Sequence, residues 1–376
     1  VSPDGSAPTH DRRVAVPRQL VLGSMRHAVT SYASELAGAL DELAGASDGG
    51  GGTAAVRAES FDGAIEAVAG IQSLHLQFTD RLFGTTPARA ADLVEALARH
   101  ARVTVTLHDL PQPSDGAESL ARRAAAYARV AEAADAVACN SRHEALLLAE
   151  YSAPRLRRDV AVIPLPVGRG AAAAPTAPAP GTPGEPGATG ASGGPNAPGT
   201  PAAARREAAI LGYFYPGKGH AELIAGVAES GLDLAVLALG TAAPGHEAEL
   251  AAVSASALRR GVRFESTGYL DDHELLEHCR RVAVPVAAHQ HLSASASINT
   301  WIAAGRRPLV PDGRYSRELH QLRPGTVTVY DPDHLHAALA TAAAAPESTW
   351  LAPGTSIRPH LPDTAERYLA WWESLG

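Results

Sequence analysis

Apolar positions along the chain fall in short runs separated by stretches of helical period. Upstream the runs are RQLVLGS (18–24), TAAVRAES (53–60), SLHLQFT (73–79), RVTVTLHD (102–109), ADAVACNS (134–141) and VAVIPLPV (160–167). Between them TSYASELAGAL, TPARAADLVEALARH, AESLARRAAAYARVAEA and RHEALLLAEY read as amphipathic helices. Downstream the same alternation returns with EAAILGYF, LDLAVLALG, VRFESTGY, VAVPVAA, RPLVP and TVTVYD. Strands alternating with helices of ten or more residues predict parallel sheets built from right-handed βαβ units. The expected fold is therefore α/β, with two Rossmann-like lobes. Open sheets of this kind bind ligands beyond the carboxyl ends of their strands, so a cleft between the lobes is the expected site.

The boundary between the lobes is compositional. Residues 171–204 hold eight prolines and a single charge, Glu185, and bury too little apolar surface to order themselves. Such a tether would let its ends wander roughly 30 Å apart. The expected division is 14–168 for the first lobe, 169–206 for the linker, 207–350 for the second lobe and 351–376 for a closing segment. That segment ends in DTAERYLAWWESLG, a capped amphipathic helix bearing Tyr368, Trp371 and Trp372. A helix crossing between the lobes is expected there, with simple core packing as the plainer alternative.

Composition narrows the partners. The chain has 376 residues, 45% of them hydrophobic, enough for two domains with full cores. A net charge of −8 without a long basic run argues against nucleic acid as the main partner. The two cysteines, Cys139 and Cys279, each sit in an apolar stretch and read as buried thiols of a reducing compartment. With no apolar run of about 18 residues and no apolar core near residue 1, a cytoplasmic protein is expected.

Candidate chemistry lies at the predicted strand ends. The first strand runs into GSMRHAVTSYASEL, where Ser24, Arg26 and His27 precede a helix. The third ends in Thr79, Asp80 and Arg81, with His75 inside the strand as a core or sheet-face residue. The fourth ends in His108 and Asp109. A histidine at such a mouth can donate to a sugar hydroxyl or move a proton near neutral pH. The structural alternative is a turn capped by Asp109 beside a buried, hydrogen-bonded His108.

In the second lobe LGYFYPGKGHAELIAGV places Lys218 in a glycine-bracketed turn between strand and helix, suited to a phosphate that also meets helix amides. HLSASASINTWIAAGRRPLV places Ser293, Ser295 and Ser297 in the loop and first turn of a helix. One serine is needed as a cap, and the helix end attracts anions. There is no Walker pattern, and no GxGxxG follows a strand; GGGG (49–52) lies in a loop. Two His-x-His pairs, His289/His291 and His334/His336, lack acidic or cysteine partners at metal spacing. The Gly-x-Ser-x-Gly match GASGG (190–194) lies inside the tether and follows no predicted strand, and HExxH does not occur.

These features resemble the GT-B-fold glycosyltransferases of the family-4 type, over nearly everything but the first dozen residues and the tether. That family opens its C-terminal lobe with a pattern like V/L-G-R followed by K-G; LGYFYPGKG matches it at Lys218 and Gly219, with Tyr213 where an arginine usually assists. The family's Glu-x7-Glu pair precedes A-x-G-x-P-V-V; here IAAGRRPLV places the two positions at Leu292 and Thr300, so both glutamates are missing. SASAS is similar to a serine-containing diphosphate turn, and Glu318 in RYSREL fits the acidic residue after the donor-site strand. MRHAVTSYASEL, HDLP and CNSRHE sit where the family keeps its first loop, its acceptor-side histidine and a helix start.

The resemblance implies a GT-B fold facing a central cleft, and a glycosyltransferase taking a sugar from a nucleotide-sugar donor with retention. It places Lys218, Gly219, Tyr213, Ser293, Ser295, Ser297 and Glu318 on the donor. It places Ser24, Arg26, His27, Asp80 and Arg81 on the acceptor, with His108 and Asp109 in the catalytic role. The first lobe would take the acceptor and the second the donor. No metal or other cofactor is expected, because protein cations and dipoles would meet the charge of the leaving diphosphate. The acceptor is left open among carbohydrate, lipid-linked and small molecules, as are peripheral membrane contact and oligomeric state. The alternatives are a catalytically weak GT-B-like binding or partner protein, and a sugar-nucleotide epimerase of the same shape.

Overall fold

The computed structural model describes residues 16–48, 55–168 and 206–376. The glycine run 49–52, the tether 171–204 and all of the expected linker but Arg206 lie outside the described residues. Each apolar run forms a strand, trimmed where polar residues or glycine end the pattern. The first six are β1 (Arg18–Leu22), β2 (Ala55–Ala58), β3 (Ser73–Phe78), β4 (Arg102–Leu107), β5 (Ala136–Cys139) and β6 (Ala161–Val162). They form one parallel sheet in the order β2-β1-β3-β4-β5-β6. The second six are β7 (Glu207–Leu211), β8 (Ala235–Leu239), β9 (Phe264–Ser266), β10 (Val284–Val286), β11 (Leu309–Pro311) and β12 (Thr328–Tyr330). They form another, ordered β12-β11-β10-β7-β8-β9.

The chain divides into two compact units. One comprises the described residues up to Pro166 together with Leu361–Gly376, and the other runs from Val167 to His360. In each sheet the order reverses at one place: between β1 and β3 in the first, and between β7 and β10 in the second. Crossover helices leave to opposite faces at such a point, which opens a crevice at the carboxyl ends of the two strands.

The first unit is buried on both sheet faces, for different reasons. On one face Leu74, Leu76 and Phe78 of β3 pack with Val103, Val105 and Leu107 of β4 beneath helices Pro87–Ala98 and Ala117–Ala133. The alternate residues, His75, Gln77, Thr104 and Thr106, are polar yet equally buried. Leu36 and Leu40 of helix Ala28–Asp48 pack with Ala365, Tyr368 and Trp372 of helix Leu361–Ser374 over that face. Tyr368, Trp371 and Trp372 surround the His75 ring with centroids 5.2, 5.9 and 5.2 Å away. The closing helix, expected to cross between lobes, is thus a core element of the first unit. Its aromatic stripe pairs with a strand face whose histidine is deprived of water.

In the second unit Val284, Val286 and Ala288 pack with Ala208 and Ile210 beneath Leu223, Ile224 and Leu339. Arg306 is fully buried there, and among the described residues no carboxylate enters its hydrogen-bond shell. Its guanidinium donates to the carbonyls of Cys279, Val282, Ala283 and Thr349 and to the Thr349 hydroxyl, while Trp350 stacks 4.3 Å below. It closes the carbonyl-rich end of helix Asp272–Arg281, where a cation opposes the helix dipole. Burial pulls its pKa down to about 10.

Candidate functional site

The second unit builds a polar corner at its point of strand reversal. The chain leaving β7 alternates: Tyr213 and Tyr215 are exposed, while Phe214 between them is buried. It then turns through Gly217, Lys218 and Gly219 into helix His220–Ser230. Gly219 has φ +100°, and a Cβ there would lie 2.2 Å from the Ala288 carbonyl oxygen at the end of β10. Only glycine allows this approach. The Gln290 N–H donates to the Gly217 carbonyl (3.0 Å), joining the loops after β7 and β10.

Lys218 is only 7% exposed. Its ammonium donates to the Ser297 hydroxyl over a long 3.4 Å and lies 5.5 Å from the Tyr215 ring centroid. Ser297 and Ser295 share a hydrogen bond of 2.9 Å, and Ser295 caps helix Ala296–Ala303 by accepting from the Ile298 N–H (3.4 Å). A buried cation, two hydroxyls and a helix N-terminus therefore converge on one corner. Ser293 stands half-buried ahead of that chain, and Glu318 is half-buried on helix Arg314–Leu322 after β11.

Two histidines of this corner carry little sequence signal: nothing marks His220, and His289 stands out only as half of a His-x-His pair. Among the described residues, His289, 6% exposed, has no hydrogen-bond partner at Nδ1, and His220, 1% exposed, has none at either ring nitrogen. The His220 ring packs on Phe214 (5.0 Å) and Phe264 (6.4 Å). Burial and then the Lys218 charge pull His220 down to about 3 and His289 well below the usual histidine range. Both are neutral at pH 7, so Lys218 carries the charge among these three. The His-x-His spacing contained no signal for this, because burial is set by contacts distant in sequence. Among the described residues no three side chains are grouped to hold a metal ion.

The first unit has a different mouth. After β1, Ser24 closes a turn by accepting from the Arg26 N–H (3.3 Å) and, through its carbonyl, from the His27 N–H (2.9 Å). His27 Nδ1 accepts from the Val29 N–H (3.2 Å), which leaves its proton on Nε2 when neutral. Half-buried His27 is pulled down by burial, an effect opposed by the Asp109 carboxylate and reinforced by Arg81. Arg26 and Arg81 are exposed.

His108 and Asp80, expected to open toward a ligand, are turned inward. His108 Nε2 donates to Gln77 Oε1 (2.8 Å), and its Nδ1 accepts from Asn140 Nδ2 (3.3 Å). The Gln77 amide in turn donates to His75 Nε2 (3.1 Å) and to the Tyr368 hydroxyl (3.3 Å). Both nitrogens of His108 are thus used within the fold, and burial holds its pKa down at about 4. Asp80 accepts twice from Arg123, at 3.1 and 3.2 Å. Asp109 is the exposed member, at φ +49°, accepting from the Thr79 hydroxyl at 3.2 Å.

The chain matches no protein-family model and no curated protein. Solved structures do share its fold. HepE of Anabaena, in complex with UDP-glucose, superposes with a TM-score of 0.62 at 11% identity, over 95% of this chain and 96% of that one. Sucrose-phosphate synthase of Thermosynechococcus elongatus gives 0.61 at 15% identity, over 95% and 96%. The apo form of the lipopolysaccharide outer core galactosyltransferase WaaB gives 0.55 at 10% identity, over 95% and 98%. Two six-stranded parallel sheets and these likenesses define a GT-B fold.

Proposed function

We propose that this protein is a glycosyltransferase that moves a sugar from a nucleotide-sugar donor to an acceptor hydroxyl, with retention at the anomeric carbon. The observation that carries this reading is Lys218, buried at the point of strand reversal and bonded to Ser297 at a helix N-terminus. The second unit holds the donor. Lys218, the Ser295–Ser297 pair and the amides of helix Ala296–Ala303 meet its diphosphate, Gly219 gives the backbone its close approach, and Tyr213 replaces an assisting cation. Ser293 and Glu318 line the same side. As the bond from the anomeric carbon to the diphosphate breaks, charge grows on the departing oxygen, and fixed donors aimed there lower the barrier. The roles need no metal or further cofactor.

The first unit serves the acceptor through Ser24, Arg26, His27, Arg81 and Asp109. His108 and Asp80 support that surface from behind. That HepE was crystallised with UDP-glucose makes UDP-sugars the first donors to try.

A melting panel across UDP-, GDP- and ADP-sugars tests donor binding, since a ligand that binds only the native state raises its stability. Lys218→Ala is expected to weaken affinity for the bound nucleotide about 10- to 100-fold, the loss of one charge-assisted contact. Unchanged affinity in that variant would remove the assigned diphosphate site. The absence of glutamate at Leu292 and Thr300 keeps a binding-only protein in view. Donor binding without nucleotide release, even with mixed acceptors, would establish that reading, and an altered sugar released without an acceptor would establish an epimerase.

A further inference from the structure

Asp109 is one of two non-glycine residues at positive φ among the described residues. Left-handed backbone is uncommon outside glycine and is retained where surrounding contacts impose it. Those contacts are built from residues that the acceptor surface did not include. Arg123, on helix Ala117–Ala133, donates to the Asp109 backbone carbonyl. The same guanidinium is held by Asp80 at 3.1 and 3.2 Å and by Asp115 at 2.5 Å, with its side chain 11% exposed. One turn along the helix, the Tyr127 hydroxyl donates to the His108 carbonyl at 2.7 Å. Thr79 donates to one oxygen of the carboxylate itself.

Two successive carbonyls are therefore pinned from beneath by one helix, and of the described residues 108–111 Asp109 alone is exposed. A glycine would adopt the same backbone without strain, and a turn with no further task would not need the buried ion cluster. We propose that Arg123 and Tyr127 are positioning residues that hold the Asp109 carboxylate toward a sugar hydroxyl, whether it belongs to donor or acceptor. This rests on the glycosyltransferase reading. An ionised carboxylate is acceptor-only and suits a hydroxyl-rich ligand. Its usefulness depends on a direction that a free aspartate rotor would not keep.

The test has three arms. In the first, Asp109→Ala is expected to melt about 2–4 °C below Asp109→Gly, because only alanine pays for the left-handed backbone. Equal melting would show that position 109 is not held there. In the second, UDP release from UDP-glucose is measured with glucose as acceptor. Asp109→Asn, which tolerates this backbone, is expected to lower turnover at least tenfold with unchanged melting. Tyr127→Phe and Arg123→Lys are expected to lower it three- to tenfold alone and to add nothing in the Asp109→Asn background. Undiminished turnover in Asp109→Asn, or clamp effects that multiply with it, would overturn the proposal.

The third arm separates the two sources of the hydroxyl. If it belongs to the donor, Asp109→Asn weakens UDP-glucose binding while leaving UDP binding unchanged. If it belongs to the acceptor, the KM for glucose rises instead. A wild-type protein that binds none of the UDP-, GDP- or ADP-sugars and releases no nucleotide from any of them would remove the glycosyltransferase reading and with it the role of Asp109. The melting arm would still report whether the clamp exists.

Discussion

The two units solve the same architectural problem with opposite materials. Both place their polar loops where a parallel sheet reverses strand order. In the second, the loops are nearly bare backbone: glycine meets backbone at Gly219, and small serines flank one buried lysine. In the first, the mouth is held by long side chains, with Arg123 at the centre of three aspartates and His108 bonded through Gln77 to the far helix. A site for a compact anion needs amides brought close. A site that aims one carboxylate needs a scaffold beneath it.

If that contrast is right, backbone approach should matter most in the second unit. Gly219→Ala puts a methyl group 2.2 Å from the Ala288 carbonyl oxygen at φ +100°, so a loss of about 3 kcal/mol or more is expected in chemical denaturation. Gly231→Ala, at φ +65° with open space around its Cβ, should lose only about 1 kcal/mol. Equal losses would mean that the two loops do not meet as described.

Acid should weaken both units. His75, His108 and His220 have folded pKa values near 3, 4 and 3, below the unfolded value of about 6.5. The unfolded chain then binds more protons, so their contribution is complete above about pH 6.5 and is lost as pH falls toward 3–4. By pH 5 each should have given up about 2 kcal/mol. Urea melts at pH 7 and pH 5 check this, and a flat profile between them would contradict the burial of these rings. The smallest expected effect is at the serine pair. Ser295→Ala removes a helix cap, about 1 kcal/mol, whereas Ser297→Ala should leave stability nearly unchanged and weaken nucleotide binding a few-fold, read by calorimetry.

Much of the fold was legible because parallel strands buried on both faces leave continuous apolar runs. LAVLAL is such a run, and VTVTL is recognised instead by the strict alternation of its apolar residues. Lys218 and the serine turn were legible for a related reason: in each a strand, a turn of small residues and a helix are contiguous, so each half of the corner is written locally, though their meeting across 79 residues is not. The clamp on Asp109 was not. Arg123 sits mid-helix in LARRAAAYARV, where nothing distinguishes it from its exposed neighbour Arg122. Arg306 in AGRRP likewise has nothing local to mark it, yet it is buried against carbonyls 23 to 43 residues away.

From its sequence alone this chain determined the alternation of strands and helices, the compositional break at 171–204, and the glycine–lysine and serine turns, because each is a property of neighbouring residues. Tertiary structure decided that the final helix belongs with the first sheet, that His108 faces inward while Asp109 faces out, and that Arg123 is a clamp. Those outcomes depend on which distant faces are deprived of water together, and on which buried polar groups must then find one another.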